Sequence, residues 1–387
     1  MAVQTAAAVD FSPPSIGADE IAEVVATLRS GWLSTGPRVR QFERAFADYI
    51  GVPHAIAVNS CTAALHLALL AIGAGQGDDV ITTPLTFCAT ANVIVHTGAT
   101  PRFADIDPIT WNLSPAAAAA AVTSRTRAII PVHFAGRPVD VAAFRALSRQ
   151  TGLSLIEDAA HAVESVSAGA KIGATGDLTA FSFYATKNLT TGEGGMLTTA
   201  SDDWAALART ASLHGMSRDA WTRYAPGGSA RYDVVMPGYK YNMMDLQAAI
   251  GLHQLAGLEA RLRHREAVWR LYDEGLADLP LTRPAPVAEG DVHGRHLYTI
   301  LVDAESGWSR DGLAAALRDA GVSTSVHFHA LHLHSYYAQR FGFRRGMFPV
   351  AESVSDRVLS LPLSAALTLD QAHRVIDVVR IALARSR

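Results

Sequence analysis

The sequence predicts an α/β fold, with a large domain built on a mostly parallel, doubly wound sheet and a smaller C-terminal α+β domain. Three observations carry that expectation. From His54 onward, apolar runs of strand length alternate with stretches of helical spacing, the rhythm of repeated βαβ units. An acid, a hydroxyl and a lone lysine fall at or just past the ends of two such runs, where an open parallel sheet gathers its ligands. A charged helical stretch, 245–272, then leads into a second set of strands and helices. The large domain is read as residues 1–250, including an N-terminal helical segment, and the small one as 251–387, with the helix near 245–272 as a bridge.

Each element has its own signal. Ile21, Val24, Val25 and Leu28 recur at helical spacing, and Ser30-Gly31 closes that helix. GWLSTGP follows as a turn carrying Trp32, Ser34 and Thr35, and Val39, Phe42, Phe46 and Tyr49 stripe a second helix. Residues 54–58 form a strand, and Asn59-Ser60-Cys61-Thr62 turns into a helix over 63–72. That geometry presents free N–H groups to an anion, although an ordinary N-cap by Ser60 explains the same residues equally well. Strands follow at 80–83, 101–107 and 128–132. Between them Ser114-Pro115 opens an alanine-rich helix, and 139–150 is amphipathic.

The stretch from Ser154 to Met196 organises the rest. A strand at 154–156 runs into Glu157-Asp158, and a second at 178–183 carries Ser182 near its end, with Lys187 in the polar turn beyond. These are the parts that pyridoxal 5'-phosphate (PLP) requires. It needs a lysine for a Schiff base and a carboxylate to keep its pyridine nitrogen protonated. It also needs hydroxyls and N–H groups around its phosphate. A contact between Asp158 and the pyridinium is a charge-assisted hydrogen bond of about 1.5–3 kcal/mol.

EDAAHA followed by GDLTAFSFYATKNLTTGEGGM resembles the PLP-dependent nucleotide-sugar aminotransferases of the DegT/DnrJ family, which have the aspartate aminotransferase fold (fold type I). The resemblance runs from GWLSTGPRVRQFERAF at 31–46 to LSLPL at 359–363. Taken singly, Lys187 is a solvated lysine and GEGG a turn; their order and spacing together carry the likeness. It implies that the large domain binds PLP, with Lys187 catalytic and Asp158 on the pyridine nitrogen. Cys61, Thr62 and Ser182 then hold the phosphate, and Phe87 stacks on the ring, where a core position explains a phenylalanine as well. His161 hydrogen-bonds the phenolic oxygen, a place where many relatives carry glutamine; taken alone it is more often structural. Asn242 reaches the phosphate of a neighbouring subunit, which implies a homodimer with its active sites at the subunit interface. From the residues alone, Asn242 also reads as the N-cap of the helix that follows, a role open to Asp245.

The same likeness places His327 and Thr35 toward a nucleotide-sugar substrate, and Lys240, Arg218 and Arg231 supply charges suited to its diphosphate, with no geometry legible in the sequence. The expected amino-acid donor is glutamate and the expected acceptor a UDP- or dTDP-linked 4-keto-6-deoxyhexose, because KNLTTGEGG is closer to members that aminate C4 than C3. Ala330 stands where relatives usually have proline, which leaves the path of that loop open. His327, His329, His332 and His334 have the spacing of metal ligands, but no cysteine or nearby acid joins them, and outward-facing histidines fit as well. No metal is expected. Residues 296–302 and 322–326 read as strands and 310–320 as a helix, and Thr368 with Gln371 forms a capping box for the last helix.

Bulk properties set the frame. Apolar residues make up 49% of the 387, so a sizeable core is expected. Net charge is −3 with no basic block, which argues against nucleic acid as a partner. Two cysteines, Cys61 and Cys88, cannot build a disulfide framework and fit a reducing cytoplasm. The N-terminus lacks a signal-peptide pattern, and no run approaches the roughly 18 apolar residues of a spanning helix, so no membrane partner is expected. Another PLP reaction, such as C3 amination or sugar dehydration, shares the scaffold, but the dehydratases have histidine where this chain has Lys187. A non-catalytic regulator that binds PLP or a sugar would carry a helix-turn-helix, and none is visible. A dinucleotide oxidoreductase lacks its G-x-G-x-x-G after the first strand.

Overall fold

In the computed structural model, which describes residues 8–217 and 232–384, the N-terminal third is helix–helix–strand. α1 (Ala18–Ser30) and α2 (Pro37–Ile50) precede β1 (His54–Val58) and α3 (Cys61–Ala71). β2 (Asp79–Thr82), α4 (Cys88–His96), β3 (Thr100–Phe103), α5 (Pro115–Ala120), β4 (Thr126–Ile130), α6 (Val141–Thr151) and β5 (Ser154–Asp158) continue the alternation. A small hairpin, β6 (Val166–Ser167) and β7 (Ala170–Lys171), leads to β8 (Leu178–Ser182), β9 (Gly195–Thr199) and α7 (Asp202–Ser212). Residues 218–231, with Arg218 and Arg231, lie outside the described residues.

The main sheet has seven strands in the order β1-β9-β8-β5-β4-β2-β3. All run parallel except β9, which is antiparallel to both its neighbours. The carboxyl ends of β1, β5 and β8 therefore share one edge with the start of β9. Both faces are covered, which is why these strands are apolar runs rather than alternating ones. On one face Phe46 of α2 packs edge-on against Phe181 and Phe183 and Phe42 tilts onto Phe183, with ring centroids 5.1–5.5 Å apart, each pair adding about 0.5–1.5 kcal/mol beyond its buried area.

After residue 232 come α8 (Asp245–Ala256) and α9 (Leu258–Gly275), then β10 (Leu281–Thr282), β11 (Tyr298–Val302) and α10 (Arg310–Asp319). α11 (Ser335–Phe341), α12 (Pro349–Arg357), β12 (Val358–Leu361) and α13 (Leu369–Ala384) complete the chain. β10, β11 and β12 form a separate antiparallel sheet with its own core around Trp269, Tyr272, Tyr298, Leu313 and Val375. Thr368 and Gln371 exchange side-chain-to-backbone hydrogen bonds at 2.9 and 3.2 Å, the capping box read from sequence.

Four local expectations need correction. The single bridging helix is two, broken at Gly257, where glycine is a poor helix former and the Arg261 guanidinium donates to the carbonyl of Gln254. No strand forms over 322–326: Val322 bridges to Val9 and Ser325 to Ser360, so the segment has two different partners and no continuous ladder. The cap of α8 is not Asn242; Gln247 Oε1 accepts from Met244 N at 2.9 Å. Asp245 is buried and caps a different helix. Its carboxylate accepts from the N–H groups of Gly36, Arg38 and Val39 at 2.8–3.2 Å, supplying the α2 N-terminus with the acceptor that Gly36 lacks. The apolar stripe of α1 has an unexpected direction, since Ile21, Val25 and Leu28 are exposed while Glu20 and Thr27 pack inward.

Candidate active site

At the shared strand edge lies a cavity of about 640 Å³, within the range of small-molecule sites. Its walls come from the β1–α3 turn, the ends of β5 and β8, the 183–194 turn, the start of α4, and residues 325–328 from beside the smaller sheet. Cys61, Thr62, Phe87, Asp158, His161, Ser182, Lys187 and His327 all line it. Eight positions predicted from scattered parts of the sequence are thus brought together.

Asp158 ends β5 and is buried. Its Oδ2 accepts from Thr90 Oγ1 at 2.7 Å and its Oδ1 from the Ala160 N–H at 3.1 Å. Burial pushes the carboxyl up, against those two hydrogen bonds and the Lys187 amine, which pull it down. The carboxylate is held in place but lacks a full countercharge. Lys187 makes no side-chain hydrogen bond or ion pair among the described residues. Burial brings its amine down to about 8, against the opposing pulls of Cys61 and Asp158. Cys61 is itself kept a neutral thiol by burial and by Asp158, so Asp158 is the charge that matters. An amine that loses its proton near neutrality is a usable base and nucleophile.

His161 is also buried, and its Nδ1 accepts from the Ala135 N–H at 3.2 Å. That hydrogen bond fixes the tautomer: in the neutral ring the proton sits on Nε2, ready to donate. Burial first, then Lys187, His296 and His327, keep the ring neutral, well below its ordinary value. His327 contacts Ser360 Oγ through Nδ1 at 2.9 Å and is lowered to about 3, mainly by burial. Phe87 is 60% exposed on the cavity wall, which excludes the core-packing reading of that ring.

The β1–α3 turn supplies the anion end. Ser60 caps α3 by accepting from the Ala63 N–H at 3.1 Å. The N–H groups of Cys61 and Thr62 stay without a partner among the described residues. The two sequence readings of this turn, cap and cradle, are therefore compatible. Gly195 at the start of β9 makes the close approach possible: a Cβ there would lie 2.5 Å from Ser60 C and 2.6 Å from Cys61 N.

Thr35, Lys240 and Asn242 do not line this cavity. Asn242 accepts from Lys240 Nζ at 2.7 Å and donates to Thr35 Oγ1 at 2.7 Å, and Thr35 and Asn242 border a separate hollow. The four histidines also separate: His332 pairs with Glu352 at 2.9 Å, and the His329 and His334 rings meet at 4.8 Å. Among the described residues no group of three or more acids, histidines or cysteines could hold a metal. Sequence reasoning missed Thr90, Glu193, Tyr184 and Phe328, all of which line the cavity.

Residues 14–380 match the DegT/DnrJ/EryC1/StrS aminotransferase family. The chain belongs to this family. It is 51% identical over 372 residues to the spore coat polysaccharide biosynthesis protein SpsC of Bacillus subtilis (strain 168), covering 96% of each chain. Among solved structures, Spr1654 of Streptococcus pneumoniae in its PMP form matches with a TM-score of 0.92 at 33% identity, over 98% of this chain and 100% of that one. The sugar aminotransferase CalS13 of Micromonospora echinospora matches with a TM-score of 0.86 at 33% identity, over 96% and 99%. Spr1654 is also known in a PLP form, at a TM-score of 0.91. The DegT/DnrJ/EryC1/StrS aminotransferase described here is accordingly a PLP-dependent sugar aminotransferase.

The residues of this aminotransferase fit that cofactor. A buried carboxyl without a full countercharge, an amine without a hydrogen-bond partner among the described residues, an exposed aromatic face and a helix N-terminus with free N–H groups converge on one cavity. No helix among the described residues is long and apolar enough to cross a membrane.

Proposed function

We propose that the enzyme moves an amino group from an amino acid, with glutamate as donor, to C4 of a nucleotide-linked 4-keto-6-deoxyhexose. The donor leaves as its 2-oxo acid and the sugar as an amino sugar. The observation that carries this reading is the placing of Lys187 and Asp158 on one cavity, with the amine losing its proton near about 8. Bound PLP supplies an electron sink for the carbon that loses its proton. Lys187 Nζ takes the proton from the donor Cα in the first half-reaction and delivers one to the sugar C4 in the second. Asp158 holds a proton on the pyridine nitrogen, and His161 donates Nε2–H to the phenolic oxygen. Ser182, Cys61, Thr62 and the free N–H groups of α3 bind the phosphate, and Phe87 covers the ring.

His327, at the far wall, is read as facing the sugar. Thr35, Lys240 and Asn242 are read as serving the site of a second copy in a homodimer, with Asn242 on its phosphate. Their absence from the lining of the chain's own cavity and the exposed apolar residues of α1 support that reading. We further read residues 1–250 as the cofactor-holding unit and 251–387 as the smaller one. The separate three-stranded sheet supports the division, while Val9 packs with the smaller core. A reducing cytoplasm suits the two free cysteines.

The decisive experiment adds glutamate, then a dTDP- or UDP-linked 4-keto sugar, to the PLP-loaded enzyme. Glutamate should abolish the visible absorbance with stoichiometric 2-oxoglutarate, and the keto sugar should restore it. No response to glutamate rejects the donor; no restoration by any 4-keto sugar rejects the acceptor. Capture of PLP by the cofactor-free protein needs the neutral amine. Its rate should rise with pH and be half-maximal near about 8. A stopped-flow pH profile centred at the ordinary lysine value would remove the perturbed amine from the mechanism.

A further inference from the structure

The residue after Lys187 is held more firmly than Lys187 itself. Asn188 Nδ2 donates to Glu164 Oε2 at 2.9 Å and to Gly294 O at 2.7 Å, and its Oδ1 faces His296 Nδ1 at 3.1 Å. With both amide protons placed on acceptors, the oxygen must be the atom that faces His296, so His296 carries its proton on Nδ1. Glu164 is fully buried and its other oxygen accepts from the Arg265 guanidinium of α9, itself fully buried. Arg265 also donates through Nε to Arg295 O at 3.1 Å. Residues 294–296 form a strap across the back of the cavity wall: Gly294 N donates to Gly136 O at 2.8 Å and His296 N to Ala135 O at 3.1 Å. The Ala135 N–H is the group that sets the His161 tautomer. The His296 ring lies 4.4 Å from the ring of His161.

Asn188 is therefore the junction of three parts: the turn bearing Lys187, the strap with its ring pair, and the buried Glu164–Arg265 pair that anchors both to α9. We propose that Asn188 is a positioning residue for transamination, fixing the Lys187 turn relative to the His161–His296 ring pair through both half-reactions. The proposal rests on the reading of Lys187 as the proton carrier. A turn closed only by its own backbone would let a long lysine side chain drift. A drift of about 1 Å costs a reaction of this kind about 10²-fold.

The test is Asn188→Ala as the PLP-loaded enzyme, followed by steady-state and single-turnover kinetics with glutamate. The visible absorbance should still form, because Lys187 remains. The turnover number should fall about 10- to 100-fold while the donor KM stays within about twofold. That split separates positioning from substrate binding. Turnover within twofold of wild type, or a rise in KM at unchanged turnover, overturns the proposal. His296→Phe removes one of the three Asn188 contacts and keeps a ring beside His161, so it decides the matter if Asn188→Ala does not fold. A slowing of about three- to tenfold is expected, and an unchanged single-turnover rate overturns the proposal. Failure of the Lys187 reading looks different: Lys187→Ala would then keep a hundredth or more of wild-type turnover.

Discussion

Lys187→Ala should abolish the visible absorbance of the PLP-loaded enzyme and lower turnover by on the order of 10⁴-fold. No other primary amine lines the cavity among the described residues. The two histidines there, His161 and His327, are held neutral mainly by burial, and each has a ring nitrogen engaged elsewhere. His161 cannot take over proton transfer at the donor Cα without giving up that contact, and burial disfavours the protonated form that His327 would have to adopt. The loss should be chemical rather than structural. The lysine side chain makes no hydrogen bond among the described residues, so alanine breaks none; it removes only a through-space charge from Asp158, and stability should change by about 1 kcal/mol. A thermal melt of both proteins checks that, and added methylamine should restore part of the rate. A variant that keeps a hundredth of wild-type turnover would place the base elsewhere.

Asp158→Asn should cut turnover by about 10- to 200-fold, the equivalent of losing a charge-assisted hydrogen bond of about 1.5–3 kcal/mol. The amide keeps the shape of the carboxylate and can still meet Thr90 and the Ala160 N–H. Only the charge behind the pyridine proton is lost. The same change should stabilise the cofactor-free protein at neutral pH. Burial raises the Asp158 carboxyl above its unfolded value. Between those two values the folded state holds more protons than the unfolded one, so stability falls as pH rises through that window. Above it the carboxylate is a standing cost that the amide avoids. The advantage of the variant should shrink as pH is lowered back through the window. Equal turnover of the two proteins, measured at saturating PLP, would remove Asp158 from the electron-sink role.

Much of the site was legible because its chemistry sits at strand ends, and strand ends can be read locally. Lys187, Asp158, Ser182 and the 59–62 turn are each marked by an apolar run that stops. What supports them was not legible. Thr90 lies 68 residues before Asp158, in a helix whose small residues give no hint of a carboxylate above them. Phe87 reads from sequence as core or as stacking platform, and only its exposure separates the two. The 245–272 helix has continuous periodicity, so its break depends on Gly257 and on one guanidinium reaching back to a carbonyl. The expected strand at 322–326 has strand composition, yet pairing needs a free edge of matching length, and there the two ends find different partners. Asn188 carries no local signal inside its motif, because the residues that hold it come from 164 and 294–296.

The cap that Asp245 places on α2 also bears on how a new molecule comes into being. Gly36 and Asp245 are 209 residues apart, which at about 5–20 residues per second of translation is roughly 10–40 s. Throughout that interval the leading amides of α2 lack the carboxylate that caps them, and for most of it Phe42 and Phe46 lack Phe181 and Phe183. β1, at the sheet margin, waits as well, since its ladder partner is β9, and the lone bridge beyond it is to Asn242. The first helices to be made are thus seated only after residue 245 has been made.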